Sequence, residues 1–212
     1  MNKFRKVFIF TILFLFYSLN LNADGLYAIA KYGLSSSDNS VKNNGSPSID
    51  NDSEGFMVTL GTQLGTNWGT EVMYYDLGET SITGNIGDSF KIDEASFVFD
   101  TKGTIKNNTT GYGTGIRFIS SSDTEGFEFY GKTGVHVWDK SGSTTLLYHA
   151  DNGVNSRFYN DGVDLYFGFG FNYNLYSSLV LNVSYDALDF SDTGLGFSQI
   201  GSLISLGLKF DF

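Results

Sequence analysis

Over residues 164–175 the chain reads DLYFGFGFNYNL, and its residues change character at every step. Leu165, Phe167, Phe169, Phe171, Tyr173 and Leu175 fall on one side. Asp164, Tyr166, Gly168, Gly170, Asn172 and Asn174 fall on the other. A period of two belongs to a β-strand, not to a helix. A strand of a soluble sandwich also alternates. Here the large apolar side is unbroken and the opposite side is small or polar, as in a strand between lipid and a polar lumen.

The pattern recurs near residues 25–34, 54–64, 67–78, 110–120, 126–138, 178–189 and 201–212. Phe56, Val58 and Leu60, then Tyr112, Ile116 and Phe118, then Ile204, Leu206, Leu208 and Phe210 line apolar sides. Short turns at 65–67, 120–126 and 176–178 alternate with long polar links at 35–53, 79–109, 139–163 and 190–200. That rhythm puts both chain ends and the short turns on one side. The fold predicted is all-β: an antiparallel up-and-down transmembrane β-barrel of eight strands. One stretch, 91–105 with Ser96-Phe-Val-Phe99, reads as part of a long hairpin extending the third and fourth strands beyond the membrane. Ten strands, with one more hidden in a loop, is the alternative.

Composition agrees. Aromatic residues make up 17% of the chain, with 26 Gly and a single Pro, which suits many strands joined by turns. With no Cys, a disulfide scaffold, a thiol nucleophile and a Cys-based zinc site are excluded. A net charge of −10 argues against nucleic acid as a partner.

Residues 1–23 read as a secretory signal peptide. Lys3, Arg5 and Lys6 precede the apolar run VFIFTILFLFY, and a more polar segment ends on Ala23. The run is short for a helical membrane span of about 20 residues. Residues 24–212 then form the outer-membrane β-barrel domain, exported to the bacterial outer membrane after cleavage.

The segment FEFYGKTGVHVWDK at 127–140, followed by a long link and DLYFGFGFNYNL, resembles the OmpA-like outer-membrane β-barrel family. WGTEVMYYDLGE at 68–79 and the terminal SLISLGLKFDF are similar to it too. Phe212, with Phe210 and Leu208 at alternate positions, is similar to the terminal signal read by the barrel assembly machinery. Lipid and that machinery are the partners the resemblance implies. Many OmpA proteins continue into a peptidoglycan-binding domain. This chain stops at the barrel, so cell-wall anchoring is not carried over.

Inward positions collect Lys31, Glu71, Arg117, Glu128, Lys132, His136, Asp164 and Asp186. Charges in so narrow a lumen must pair, because they are partly desolvated. The resemblance implies an interior salt-bridge network in which Glu71, Arg117 and Lys132 take part. Rearranging Glu71–Arg117 or Glu71–Lys132 would open a narrow water path. Against it stands simple filling, since eight strands leave an interior just wide enough for side chains. Trp68, Tyr112, Tyr173 and Tyr185, near strand ends, suit interfacial belts.

Catalysis has little to rest on. Of two histidines, His136 faces in and His149 lies in a long link. A triad of His136, Ser184 and Asp186 has no local motif behind it. Gly111-Tyr-Gly-Thr-Gly115 lacks the Lys-Ser/Thr of a phosphate loop, and Asp50-Asn-Asp-Ser-Glu54 lacks EF-hand spacing. The expectation is a barrel without enzyme activity, cofactor or metal. Its role is structural or surface-interacting, with an extracellular ligand met through the long links. A gated pore comes second and a lipid-modifying enzyme third.

Overall fold

The computed structural model describes residues 25–38, 41–43, 47–92, 95–120, 126–147, 154–190 and 199–212. The signal-peptide reading of residues 1–23 lies outside them, as does His149. In chain order the strands are β1 (Leu26–Asp38), β2 (Val41–Asn43), β3 (Ser48–Asp50), β4 (Asp52–Gln63), β5 (Trp68–Gly84) and β6 (Ser89–Ile92). They continue as β7 (Ala95–Val98), β8 (Lys102–Ile119), β9 (Phe127–Leu147), β10 (Val154–Tyr176), β11 (Leu179–Phe190) and β12 (Gln199–Asp211).

Nine strands share one antiparallel sheet in the order β3-β5-β4-β1-β12-β11-β10-β9-β8, and β5 also pairs with β8. That last pairing closes the sheet. With the three-residue β3 set aside, eight strands form the ring. Closure leaves the ring no open edge, so its backbone groups are satisfied within hydrocarbon. The first and last strands meet along Tyr27↔Asp211 to Asp38↔Ile200.

Alternation is obeyed around the ring. Phe129, Phe167, Phe169, Ile204 and Leu206 point outward and are exposed, while their neighbours Tyr130, Tyr166 and Leu203 are buried inside. At one level the outward ladders turn acidic: Glu54, Asp76, Asp139, Asp161 and Asp189 each follow, two residues on, an outward Phe56, Tyr74, Val137, Val163 or Ala187. A carboxylate is costly on the lipid face, so this rim marks the edge of the apolar belt. Tyr32 donates to Glu54 at 2.5 Å and Tyr159 donates to Asp139. Hydroxyls of exposed rings thus meet the rim.

The long links are corrected. Much of 79–109 and 139–163 is strand. β5 and β8 pair out to Gly84↔Gly103, β8 and β9 to Lys102↔Leu147, and β9 and β10 to Val154↔Leu146. The β10–β11 ladder stops at Tyr166↔Leu188. Four strands therefore rise past the rim as a one-sided wall, which β3 extends beside β5. Along much of the wall both faces carry polar residues, so apolar alternation is lost there while strand geometry is kept. Lys102–Ile105 extends the hairpin as expected. Residues 95–98 instead join β2 and β6 in a separate three-stranded sheet. Phe99 packs with Ile82, Ile49 and Ile105.

The wall begins at a bulge where β5 slips between Asp76 and Glu79 against β8. Gly78 has φ +76° there, and its N–H donates to Asp76 Oδ1 at 2.8 Å. A Cβ would lie 2.2 Å from Ser53 Oγ and 2.4 Å from Glu54 O. Gly78→Ala should cost about 1–3 kcal/mol through the left-handed conformation and the clash. Urea unfolding in detergent, followed by gel mobility, measures it; an unchanged midpoint would refute the strained bulge.

Candidate functional site: the lumen and its closure

The lumen has two storeys. Towards the short turns, inward residues of β1, β5, β8, β9 and β11 build two ionic clusters. In one, Asp186 bridges two buried lysines: Lys31 Nζ donates to Asp186 Oδ2 at 2.7 Å, and Lys132 Nζ lies 2.6 Å from Oδ1. Ser184 Oγ joins Lys31, Asp186 and Ser205 at 3.0 Å each. In the other, Arg117 lies between two carboxylates, Nη1 at 3.3 Å from Glu71 Oε1 and Nη2 at 3.3 Å from Glu128 Oε1. Tyr27 Oη donates to Glu71 at 2.8 Å, and Asn172 Nδ2 donates to Glu128 at 2.5 Å. The guanidinium lies 3.9 Å from the centroid of the Tyr130 ring. Three cations meet three anions, so the buried storey is neutral.

Of the two expected pairs, Glu71–Arg117 is formed and Glu71–Lys132 is not. Glu71 takes Arg117, whereas Lys132 takes Asp186, because β9 and β11 direct those two side chains at each other across the lumen. Glu71 is 3% exposed and Glu128 31%, so Glu71 is the deeper partner of Arg117.

Above the ions, the inward positions turn apolar. Met57, Met73, Tyr75, Leu77, Trp138, Tyr166, Leu188, Phe190 and Leu203 form one buried cluster across the barrel. Trp138 meets Phe190 edge-on at 5.5 Å, and His136 meets Phe190 at 5.5 Å. Small inward residues make room: a Cβ on Gly111 would lie 2.3 Å from Tyr75 Oη, and one on Gly115 would lie 2.4 Å from Tyr166 Oη. The ring nitrogens within this layer are paired. Trp138 Nε1 donates to Asp164 Oδ2 at 2.7 Å. His136 places Nδ1 at 2.6 Å from Tyr75 Oη and Nε2 at 2.8 Å from Asp189 O. His136 thus belongs to the apolar storey, not to the ion clusters. The triad of His136, Ser184 and Asp186 is not assembled: the two ring nitrogens of His136 meet Tyr75 Oη and Asp189 O, while Ser184 Oγ donates directly to Asp186. Above the rim Lys140 is buried at an inward position, and desolvation pushes its ammonium down to about 8.

The sequence reading missed the apolar storey. Its signal was present as inward Trp138, Leu188, Phe190 and Leu203, which break the polar parity near the strand tops.

On the outer face, Trp68 at the short-turn end and Tyr173 at the foot of β10 are exposed, and Tyr112 lies one outward step below the rim. Tyr185 is corrected: it sits mid-strand in β11, 5.4 Å from Phe169. Phe210 and Phe212 are exposed at the chain end, with Phe212 N donating to Leu26 O at 3.0 Å. No helix among the described residues is long and apolar enough to cross a membrane.

The family model for the OmpA-like transmembrane domain matches residues 21–212. No curated protein matches the sequence. Among solved structures the chain is similar to Ail, the attachment invasion locus protein of Yersinia pestis, in complex with the heparin analogue sucrose octasulfate. The two are 16% identical over 88% of this chain and 99% of that one, with a TM-score of 0.50. It is also similar to the outer membrane protein OprG from Pseudomonas aeruginosa, 13% identical over 90% of this chain and 98% of that one, with a TM-score of 0.53. At these identities the likeness is one of fold.

Proposed function

The chain belongs to the OmpA-like transmembrane domain family, and on that premise we propose that this outer-membrane barrel works as a surface-interaction protein through its projecting wall. The observation that carries this reading is the closed upper lumen. Where a water path would have to pass, Trp138, Phe190, Leu188 and Leu203 fill the cross-section. A layer of that kind dewets, so the lumen is a packed core rather than a channel. Function then falls to the outside, where β5, β8, β9 and β10 rise past the rim. In this reading the wall faces the medium, the short turns face the periplasm, and the terminal Phe210 and Phe212 serve assembly. Catalysis gains no support from the pairing of His136.

Shortening the wall, by replacing residues 84–103 and 143–156 with tight turns, should abolish attachment of expressing cells to surfaces or host matrix. Heat-modifiable gel migration should persist. Attachment equal to that of the unaltered protein would defeat the proposal.

The rival, a gated pore, draws support from the pairing of Glu71 with Arg117. The apolar storey above weighs against it, and planar-bilayer recording separates the two.

A further inference from the structure

The outward face of the wall, just above the acidic rim, carries a cavity of about 340 Å³. Pairing sets its walls in lateral rows. Glu79, Asn108 and Ser141 form one, which Tyr159 continues beside the cavity, and Lys106 and Ser143 form the next. Gly142 and Asn107 complete the lining between them. Small hydroxyls and amides leave the space that large side chains would fill. Two observations mark it as more than surface relief. The side-chain oxygen of Asn108, on the outward face, is buried yet accepts no hydrogen bond. And Tyr159, 58% exposed at the end of the first row, offers a ring beside the polar grid, held by its bond to Asp139.

An unmatched amide acceptor, paired hydroxyls and an exposed ring are the complement of a polyhydroxylated ring. A sugar hydroxyl donates to the amide, and the apolar face of the sugar stacks on the aromatic. Rotation of the Asn108 amide about Cβ–Cγ turns its oxygen to the cavity. Charge narrows the class. Asp76, Asp139 and Asp161 lie in the row directly below, and Glu79 is occupied by Lys106 at 2.6 Å. This surplus of carboxylates repels a sulfated or phosphorylated sugar at close range.

We propose that this outward cavity is a binding site for an uncharged saccharide. The inference rests on the surface-interaction reading and names its ligand class. The sugar reaches the site from the head group of a glycolipid in the surrounding leaflet, directly over the belt, or from a free glycan. The recognition chemistry is the same.

The full-length protein in nanodiscs tests it in two arms. In plain phospholipid discs, maltotriose and cellotriose are titrated by calorimetry. In discs doped with diglucosyl diacylglycerol, retention of the glycolipid around the barrel is measured. Saturable binding in either arm is expected, and the arm that responds identifies the source. Asn108→Ala and Ser141→Leu, each checked for heat-modifiable migration, should weaken it at least tenfold. A persulfated disaccharide should bind at least tenfold more weakly than the neutral sugars. Absence of binding in both arms, preference for the sulfated sugar, or indifference to both substitutions overturns the site. If the wall-shortened protein loses attachment while both point variants keep it and bind sugar normally, the surface reading stands and the saccharide site falls.

Discussion

Asp186→Leu lowers the unfolding free energy by about 3–5 kcal/mol, the loss expected when one partner of a buried ion pair is removed and its mates are left behind. Asp186 holds Lys31 and Lys132, both buried, at 2.7 and 2.6 Å. Without it two ammonium groups face each other with Ser184 as the remaining close acceptor of Lys31. The loss comes from the orphaned charges, not from the missing attraction. The triple replacement Lys31→Met, Lys132→Met, Asp186→Leu should therefore regain most of the deficit, because it removes all three charges and keeps apolar volume. Urea midpoints in detergent for the single and triple variants decide the matter. A triple variant no better than the single would show that shape, rather than stranded charge, sets the effect.

Trp138→Ala should be nearly as severe, at about 3–5 kcal/mol, since a large buried ring leaves a cavity its neighbours cannot fill. The same residue decides what the lumen can pass. Glu71→Ala alone disturbs the lower storey and leaves the layer of Trp138, Phe190, Leu188 and Leu203 in place, so planar bilayers should stay silent. Trp138→Ala combined with Phe190→Ala opens the upper storey from two sides and should admit water and small ions. Conductance in Glu71→Ala but not in the double variant would reverse the assignment and make the ionic storey the gate.

The two variants also expose how legible the site was. Lys31, Arg117, Lys132 and Asp186 could be placed inside by parity alone, because inward and outward positions alternate along the regular stretches of strand that carry them. Which cation takes which anion could not. Partners such as Lys31 and Asp186 lie far apart in sequence, on strands that are not neighbours in the ring, and they meet only across the lumen. The apolar storey was hidden for another reason. An inward Trp138 or Phe190 looks like a lapse in the polar pattern until six strands bring such residues together in one cluster.

The wall was misread as loops because apolar alternation reports a difference between two environments. Where both faces of a strand carry polar residues, as around Asn107 and Ser143, that difference vanishes while the ladder continues. What the residues alone determined is the barrel itself: a chain whose large and small side chains alternate in eight segments must put one set to lipid and one inside, and short turns fix its sidedness. What waited for tertiary structure is everything that depends on height around the ring, namely the pairing of Asp186 with two lysines, the apolar layer and the cavity on the wall. Stagger between tilted strands sets height, and no segment carries that information on its own.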